Sequence, residues 1–195
     1  MTERPLLTID LDGVVIAPLF GPRFGRHGGT HRSFLDAQAP PPRARVLPRW
    51  IGGPLDAARF APRRPLPGVA EALATLAGRH RLVALTGRRR SPERWLRHYG
   101  LAVHFERTVF NRGPLPSPHF KLRQIEALGP VAHVDDDART AQLIAERCAI
   151  TVYLRDWPEN RELPFAPNVT RVSDLAELAR SLREDDAGGG KNPAS

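Results

Sequence analysis

Several residue types that would settle a protein's class early are scarce in this sequence. Cysteine occurs once, as Cys148, so an internal disulfide is excluded and a buried, unreactive thiol is expected. No apolar run approaches the roughly 18 residues that would predict a membrane span. The first seven residues contain one acid and one base and lead directly into a strand-like run, which is not the order of a secretion signal. These absences predict a soluble, cytoplasmic protein with no membrane partner.

Lysine is also rare, and the basic character of the chain comes almost entirely from arginine. The 195 residues carry a net charge of +8, and all but two of the 29 basic side chains are arginines. The surplus is concentrated in residues 21–65, which hold nine arginines and two acidic residues. Such a segment attracts anionic ligands, although a GC-rich coding sequence would produce the same bias. Both interpretations, an electrostatic funnel and compositional drift, remain open.

The hydrophobic pattern predicts strands that alternate with helices, and hence a parallel sheet with helices on both faces. Strands are expected at residues 6–9, 82–86, 103–110, 131–134, 150–154 and 169–172.

The expected fold class is therefore α/β, a doubly wound, Rossmann-like parallel sheet over residues 1–20 and 66–183. Residues 21–65 are rich in Pro and Gly and show no periodicity, and a segment of this length without elements is usually functional. We expect it to form a small cap inserted after the first strand. Residues 184–195 are expected to be a disordered tail.

Polar side chains follow three of these strands at the point where each strand ends. Because ligands bind at the carboxyl ends of parallel strands, these side chains are expected to share one site. A cluster of carboxylates there requires a cation, and Mg²⁺, held by carboxylates, phosphate and water, is suited to it. The residues are Asp10 and Asp12, then Thr86, Gly87 and Arg88, then Asp135, Asp136 and Asp137, with Lys121 beginning a helix before the last group.

The spacing of these residues suits phosphoryl transfer. Asp10 can attack phosphorus to give an aspartyl phosphate, and Asp12, two residues on across a turn, can act as acid and then as base. Thr86, with the N–H groups that follow it, can hold phosphoryl oxygens, while Lys121 balances their charge. Taken singly, these residues also suit solvated turns or structural positions, and the acidic run also suits a helix N-cap. Their order along the chain favours the catalytic interpretation.

In that order the motifs resemble those of the haloacid-dehalogenase (HAD) superfamily. The run Leu-Thr-Ile-Asp10-Leu-Asp12-Gly13-Val14 is similar to the first motif, Thr86-Gly87-Arg88 to the second, Lys121 to the third and Asp135-Asp136 to the fourth.

The resemblance covers roughly residues 5–154 and implies a Mg²⁺-dependent phosphatase with Asp10 as nucleophile and Asp12 as acid/base. It implies a metal site on Asp10, the main-chain oxygen of Asp12 and the acidic cluster. Whether Asp135 or Asp136 is the main ligand stays open. The second aspartate of the first motif marks phosphatases, because dehalogenases of this family lack it.

A second similarity concerns the substrate. The run Tyr153-Leu154-Arg155-Asp156-Trp157-Pro158-Glu159-Asn160-Arg161, followed by residues 168–172, is similar to the end of deoxyribonucleotidase-like members of the family. It implies a 5′-nucleotidase-like enzyme with a small phosphorylated substrate, a nucleoside monophosphate.

The arginine-rich segment supports an alternative, a nucleic-acid-end (polynucleotide) phosphatase or binder whose affinity falls steeply with salt. Within that segment, Trp50 and Phe60 could stack on a base or form a core of their own. The sequence gives no indication of the oligomeric state. A catalytically idle interaction protein is disfavoured, because folding alone does not require Asp10, Asp12 and Lys121 together.

Overall fold

A computed structural model describes residues 3–18, 34–44 and 62–188 of the chain. In these ranges six strands form one parallel sheet in the order β3-β2-β1-β4-β5-β6. The expected doubly wound, Rossmann-like α/β fold is confirmed. The strands are β1 (Leu6–Ile9), β2 (Arg81–Thr86), β3 (Arg107–Phe110), β4 (Ala132–Asp135), β5 (Thr151–Arg155) and β6 (Val169–Val172).

Five α-helices lie against this sheet within the described ranges, and they divide between its two faces. The first two helices and the last contribute to one core cluster, and the third and fourth to another. Each fully buried leucine in these clusters stabilises the fold by roughly 1.5–3 kcal/mol. The helices are α1 (Val69–Ala77), α2 (Glu93–His98), α3 (Ser117–Leu128), α4 (Ala138–Arg147) and α5 (Leu175–Gly188).

The strand order indicates where on the sheet a site is expected. The chain proceeds outward from β1 through β2 to β3 and then crosses back, so that β4 pairs with the other side of β1. In this topology the order reverses between β1 and β4, and a crevice opens beyond the carboxyl ends of those two strands. Asp10 immediately follows β1, and Asp135 is the last residue of β4.

The predicted strand at 103–110 is wrong in its first half. Residues Ala102–His104 form a turn of 3₁₀ helix, and β3 begins only at Arg107. Val103 is 82% exposed. It belongs to the turn that returns the chain from α2 to the sheet, although the sequence pattern had placed it in a strand. At the other end, α5 continues through Gly188, past the start of the tail expected at 184.

Two short chain segments pair at the two ends of the insertion predicted from the sequence. Ile16 forms an antiparallel bridge with Pro65, the Ala17 N–H donates to the Arg64 carbonyl at 2.9 Å, and the Leu66 N–H donates to the Val15 carbonyl at 2.9 Å. We call this pair of segments, residues 14–17 and 63–66, the neck.

Between residues 18 and 62 the structure describes residues 34–44. This stretch lies against the sheet domain: the Phe34 and Phe165 ring centroids are 5.3 Å apart, and the Ala44 N–H donates to the Pro114 carbonyl at 2.9 Å. Trp50 and Phe60 lie outside the described residues, so their two interpretations stay predictions, as does the cap at 21–65. In the part of the chain that the structure describes, no helix is both long and apolar enough to cross a membrane.

Candidate functional site

Asp10 is a buried carboxylate whose hydrogen-bonding capacity is only partly used. It is 3% exposed, and its main-chain N–H donates to the Val134 carbonyl of β4 at 2.9 Å. Its Oδ2 atom lies 3.0 Å from Lys121 Nζ, while its Oδ1 atom is buried and has no hydrogen-bond partner within the described ranges. An unsatisfied buried carboxylate oxygen costs free energy unless a cation or donor is supplied.

Lys121 joins Asp10 to the end of β4. Its ammonium lies 2.8 Å from Asp135 Oδ2, and the lysine is 3% exposed although its helix faces the edge of the sheet. Burial alone would lower the pKa of Lys121, but the charges of Asp10 and Asp135 raise it above its ordinary value. Lys121 is therefore a permanent cation shared between two buried carboxylates.

Asp135 is the best satisfied carboxylate of the group. Its Oδ2 atom accepts from Lys121 and from His133 Nε2 at 2.9 Å, and its Oδ1 atom accepts from the main-chain N–H groups of Asp136 and Asp137 at 2.8 and 3.0 Å. Burial would raise the pKa of Asp135, but the charge of Lys121 and the bond from His133 hold it well below the ordinary value. Asp135 is therefore an anion with four donors.

The pKa of Asp10 is shifted in the opposite direction. Burial, as the main cause, raises the pKa of Asp10 well above its ordinary value, and the neighbouring carboxylates of Asp135, Asp12 and Asp136 add to the effect of burial against the charge of Lys121. Nearby positive charge thus outweighs the effect of burial on the pKa of Asp135, but it does not outweigh that effect on the pKa of Asp10.

Asp136 stands next to Asp10 at the same edge and is partly exposed. Carboxylate oxygens of Asp10, Asp135 and Asp136 lie within 4.8 Å of one another, close enough to hold one cation. Gly13 makes room for Asp136: its φ is +75°, and a Cβ atom there would lie 1.8 Å from Asp136 Oδ2. Only glycine fits this turn, both for its backbone angle and for the space it leaves.

Asp12 is held by two arginines instead of by the acidic cluster. Arg88 donates from Nε to Oδ2 at 2.7 Å and from Nη2 to Oδ1 at 2.8 Å, a bidentate pair. Arg63 donates from Nη1 to Oδ1 at 2.5 Å. Burial would raise the pKa of Asp12, but the hydrogen bond and charge of Arg88, with the charge of Arg63, lower it. The role expected for Arg88 in holding phosphate stays a prediction, and two of its N–H groups contact Asp12.

Thr86 and Gly87 bring the end of β2 against the start of α3. Thr86 is fully buried, and its Oγ1 accepts from the Arg88 N–H at 3.3 Å. A Cβ atom on Gly87 would lie 1.9 Å from Ser117 Oγ, so the strand end and the helix N-terminus approach as closely as glycine permits. Thr86 and Gly87, two of the four residues expected to bind phosphate, thus lie at the carboxyl end of β2, beside β1.

His133 is a residue of the site that the sequence interpretation missed. It is fully buried, its Nδ1 lies 2.9 Å from Thr8 Oγ1, and its Nε2 contacts Asp135. Because Asp135 is a carboxylate and can only accept, the proton is assigned to Nε2. Thr8 and His133 are partners in the β1–β4 register. The spacing of two between Thr8 and Asp10, and between His133 and Asp135, was the available signal, since such residues share one face of the sheet.

Arg63 and Arg155 were also missed as residues of the site, since each lies outside the four motifs at the strand ends. Arg155 Nη1 donates to the Gly13 carbonyl at 2.6 Å, and its guanidinium lies 4.1 Å from the centre of the Trp157 ring. Arg155 therefore fixes the turn that follows Asp10. No local sequence pattern identifies such a contact, because it spans 142 residues.

Known proteins supply an independent comparison at the level of fold. Neither a family model nor a curated protein sequence matches the chain, but solved structures do. A HAD-superfamily hydrolase, subfamily IA, variant 1, from Geobacter sulfurreducens is 20% identical with a TM-score of 0.56, over 92% of this chain and 96% of that one. CbbY from Rhodobacter sphaeroides, in complex with phosphate, is 16% identical with a TM-score of 0.57, over 90% and 96%.

A third match is the D,D-heptose 1.7-bisphosphate phosphatase from B. bronchiseptica, complexed with magnesium and phosphate. It is 17% identical with a TM-score of 0.55, over 93% of this chain and 99% of that one. This chain has the fold of the HAD hydrolases. The order of motifs inferred from the sequence and the strand order of the sheet therefore agree with the same fold.

The segments on which the nucleotidase-like similarity depends, residues 153–161 and 168–172, include the end of β5, a turn of 3₁₀ helix at Pro158–Asn160 and β6. Asn160 is 4% exposed; its Nδ2 donates to the Arg155 carbonyl at 2.8 Å, and its Oδ1 accepts from the Trp157 N–H at 3.2 Å. Arg171 of β6 also donates to this oxygen, at 3.2 Å. In the described structure Asn160 thus holds Arg155 and this turn in place.

Proposed function

We propose that this protein is a phosphomonoester hydrolase that forms an aspartyl phosphate on Asp10. The observation that carries the proposal is the position of Asp10 at the switch point of the sheet, with one oxygen on Lys121 and one that no described residue contacts by a hydrogen bond. Thr86, Gly87 and the start of α3 lie on one side of it, and the acidic end of β4 lies on the other. The HAD hydrolase fold, shared with two proteins solved with phosphate, supports this reading.

We propose Mg²⁺ as the metal, with Asp10 and Asp136 as its carboxylate ligands and the Asp12 main-chain oxygen as a third. Asp135 accepts four hydrogen bonds, and this saturation supports a role in positioning Lys121 ahead of a role as main ligand. The unpartnered Asp10 oxygen and the all-oxygen donor set suit a hard cation. Bound there, Mg²⁺ would offset the like charges of carboxylate and phosphate.

The residues then divide the chemistry between them. The Asp10 carboxylate attacks phosphorus while the bond between phosphorus and the ester oxygen breaks. Asp12, which must first bind a proton against the charges of Arg88 and Arg63, gives that proton to the leaving alkoxide. Water then attacks the aspartyl phosphate, Asp12 takes its proton, and the carboxylate of Asp10 is regenerated with inorganic phosphate. Lys121 stabilises the charge on the phosphoryl oxygens, and Thr86, Gly87 and Arg88 hold them.

For the substrate we propose a nucleoside monophosphate, and for the compartment the cytoplasm. The nucleotide follows from the similarity of residues 153–172 to deoxyribonucleotidase-like proteins, and the compartment from the single cysteine. A polynucleotide end bound by the arginine-rich segment is the competing substrate, and salt dependence separates the two, because contacts with several phosphates weaken steeply with salt.

Phosphate release from nucleoside monophosphates, sugar phosphates and 5′- or 3′-phosphorylated oligonucleotides, with Mg²⁺ or with EDTA, tests the proposal. Wild type should release phosphate only with Mg²⁺, and Asp10→Asn should lower the rate by at least about 10³-fold, because the amide is a poor nucleophile. Asp174→Asn is the control, since asparagine keeps the oxygen that caps α5. Release that survives in Asp10→Asn, or none from any substrate, would contradict the proposal.

A further inference from the structure

Arg63 lies on the returning segment of the neck, yet its side chain is 8% exposed. Its Nε donates to the Ala17 carbonyl at 2.6 Å, across the neck. Its own carbonyl accepts from Trp95 Nε1 of α2 at 2.9 Å. The Arg63 main chain is therefore held to α2, and its guanidinium is held to the opposite segment of the neck as well as to Asp12.

The Asp12 carboxylate accepts three N–H hydrogen bonds from two arginines that lie in different parts of the fold. Arg88 supplies a bidentate pair that fixes the plane of the carboxylate, and Arg63 adds a third bond to Oδ1. Arg88 belongs to the loop after β2, whereas Arg63 belongs to the neck. The orientation of Asp12 consequently depends on where the end of the insertion lies.

We propose that Arg63 is a positioning residue for the acid/base function of Asp12, and that it ties the inserted segment to that function. The inference deepens the proposed function and rests on it. A group that transfers a proton must be held within about 0.5 Å of its productive position, and general acid–base catalysis contributes about 10²- to 10⁴-fold. The charge of Arg63 lowers the pKa of Asp12, so loss of that charge alone would favour the protonated acid. A fall in rate without Arg63 would therefore report lost orientation of Asp12, with the nucleophile in place.

Leaving groups of different basicity distinguish positioning of Asp12 from general damage. An alkyl phosphate needs a proton on its leaving oxygen, whereas p-nitrophenolate leaves without one. Damage to the nucleophile, the metal site or the fold lowers kcat/KM for both substrates alike. Damage to the acid lowers kcat/KM for the alkyl ester alone, because this ratio reports the step in which the ester bond breaks.

The experiment compares Arg63→Gln with Arg64→Gln, its exposed neighbour on the same segment. In Arg63→Gln, kcat/KM should fall at least about tenfold for the alkyl phosphate and less than about threefold for p-nitrophenyl phosphate. Asp12→Asn should show the same asymmetry in larger measure, and Arg64→Gln should show none. Arg63→Lys, which keeps the charge but lacks the planar fork, should be intermediate.

Equal losses for the two esters in Arg63→Gln, or no loss, would overturn the inference. If wild type hydrolyses nothing, the proposed function fails, and amide exchange decides on Arg63. In that case Asp12→Asn and Arg63→Gln should each speed exchange at the Ala17 and Leu66 amides of the neck about tenfold, with no change in Arg64→Gln. Protection that persists in Asp12→Asn would show that Arg63 does not couple Asp12 to the neck.

Discussion

At the scale of single residues, the main feature of the site is one ammonium group that contacts two carboxylates with different hydrogen bonding. Lys121 contacts Asp10 and Asp135 at nearly the same distance, 3.0 and 2.8 Å. Asp135 has three further donors, whereas one oxygen of Asp10 has no partner among the residues that the structure describes. This unsatisfied oxygen is where we propose that the metal binds.

Gly13 provides a test of the metal site at this scale. In Gly13→Ala the new Cβ atom would overlap the Asp136 carboxylate, which must then move away from Asp10. We expect Mg²⁺-dependent activity to fall at least about 100-fold, and stability to fall by roughly 1–2 kcal/mol from the positive φ. Steady-state kinetics over a Mg²⁺ titration and urea unfolding measure the two effects.

Gly129→Ala is the matched control. Gly129 also has a positive φ, +59°, but nothing lies within 4 Å of a Cβ atom there. The substitution should therefore cost a similar free energy of unfolding and leave the activity and its Mg²⁺ dependence unchanged. An equal loss of activity in both variants would mean that backbone strain, and not the space needed by Asp136, accounts for the effect at Gly13.

At the scale of elements, Asn168 joins the end of α4 to the starts of β5 and β6. Its Nδ2 lies within hydrogen-bond distance of the carbonyls of Ala145, Cys148 and Ile150, at 3.2, 3.3 and 2.9 Å. We expect Asn168→Ala to lower the free energy of unfolding by about 1–3 kcal/mol. The activity should not change, because Asn168 precedes β6 and the site lies beyond the opposite ends of the strands.

Chemical denaturation and initial rates on the same samples check this prediction. Asn168→Asp, which keeps the shape but loses the N–H donors, should destabilise the protein to a comparable or greater extent. A change in kcat larger than about twofold in either variant, measured well below the unfolding transition, would show that the two ends of the strands are coupled.

The sequence predicted those elements whose burial produces a recognisable pattern in consecutive residues. Central strands buried on both faces read as continuous apolar runs, so β1, β2, β4 and β5 were found to within about two residues. The strand ends then indicated Asp10, Thr86 and Asp135, because parallel strands align their carboxyl ends.

Residues that reach the site from distant parts of the chain produce no such sequence pattern. Arg63 meets Asp12 across 51 residues and Arg155 meets Gly13 across 142. Their charge alone could not distinguish them from the many other arginines of the chain. The false strand at 103–106 has the same origin, since only the packing of the turn after α2 exposes Val103.

At the scale of the whole molecule, Mg²⁺ binding should be linked to pH and to stability. Because burial raises the pKa of Asp10, the metal-free protein holds a proton there to higher pH, and the metal must displace it. Mg²⁺ at 100 times its Kd should stabilise the fold by about 2.7 kcal/mol. The rise in Tm at a fixed Mg²⁺ concentration should be larger at about pH 8 than at about pH 5.

Thermal unfolding with Mg²⁺ or EDTA at the two pH values measures this linkage. Asp136→Asn should remove most of the rise in Tm at both pH values, whereas Asp174→Asn should retain it. A rise in Tm that is equal at the two pH values, or larger at the lower one, would argue against a proton on Asp10 in the metal-free protein.

The neck also limits the effect of changes in length between residues 18 and 62. Its hydrogen bonds bring residues 17 and 64 together, so the chain leaves and rejoins the sheet domain at one place. Closing a longer loop across that gap costs little, about 0.6 kcal/mol for each doubling of length. Residues added to this segment should therefore leave the strand ends, and the carboxylates on them, in place.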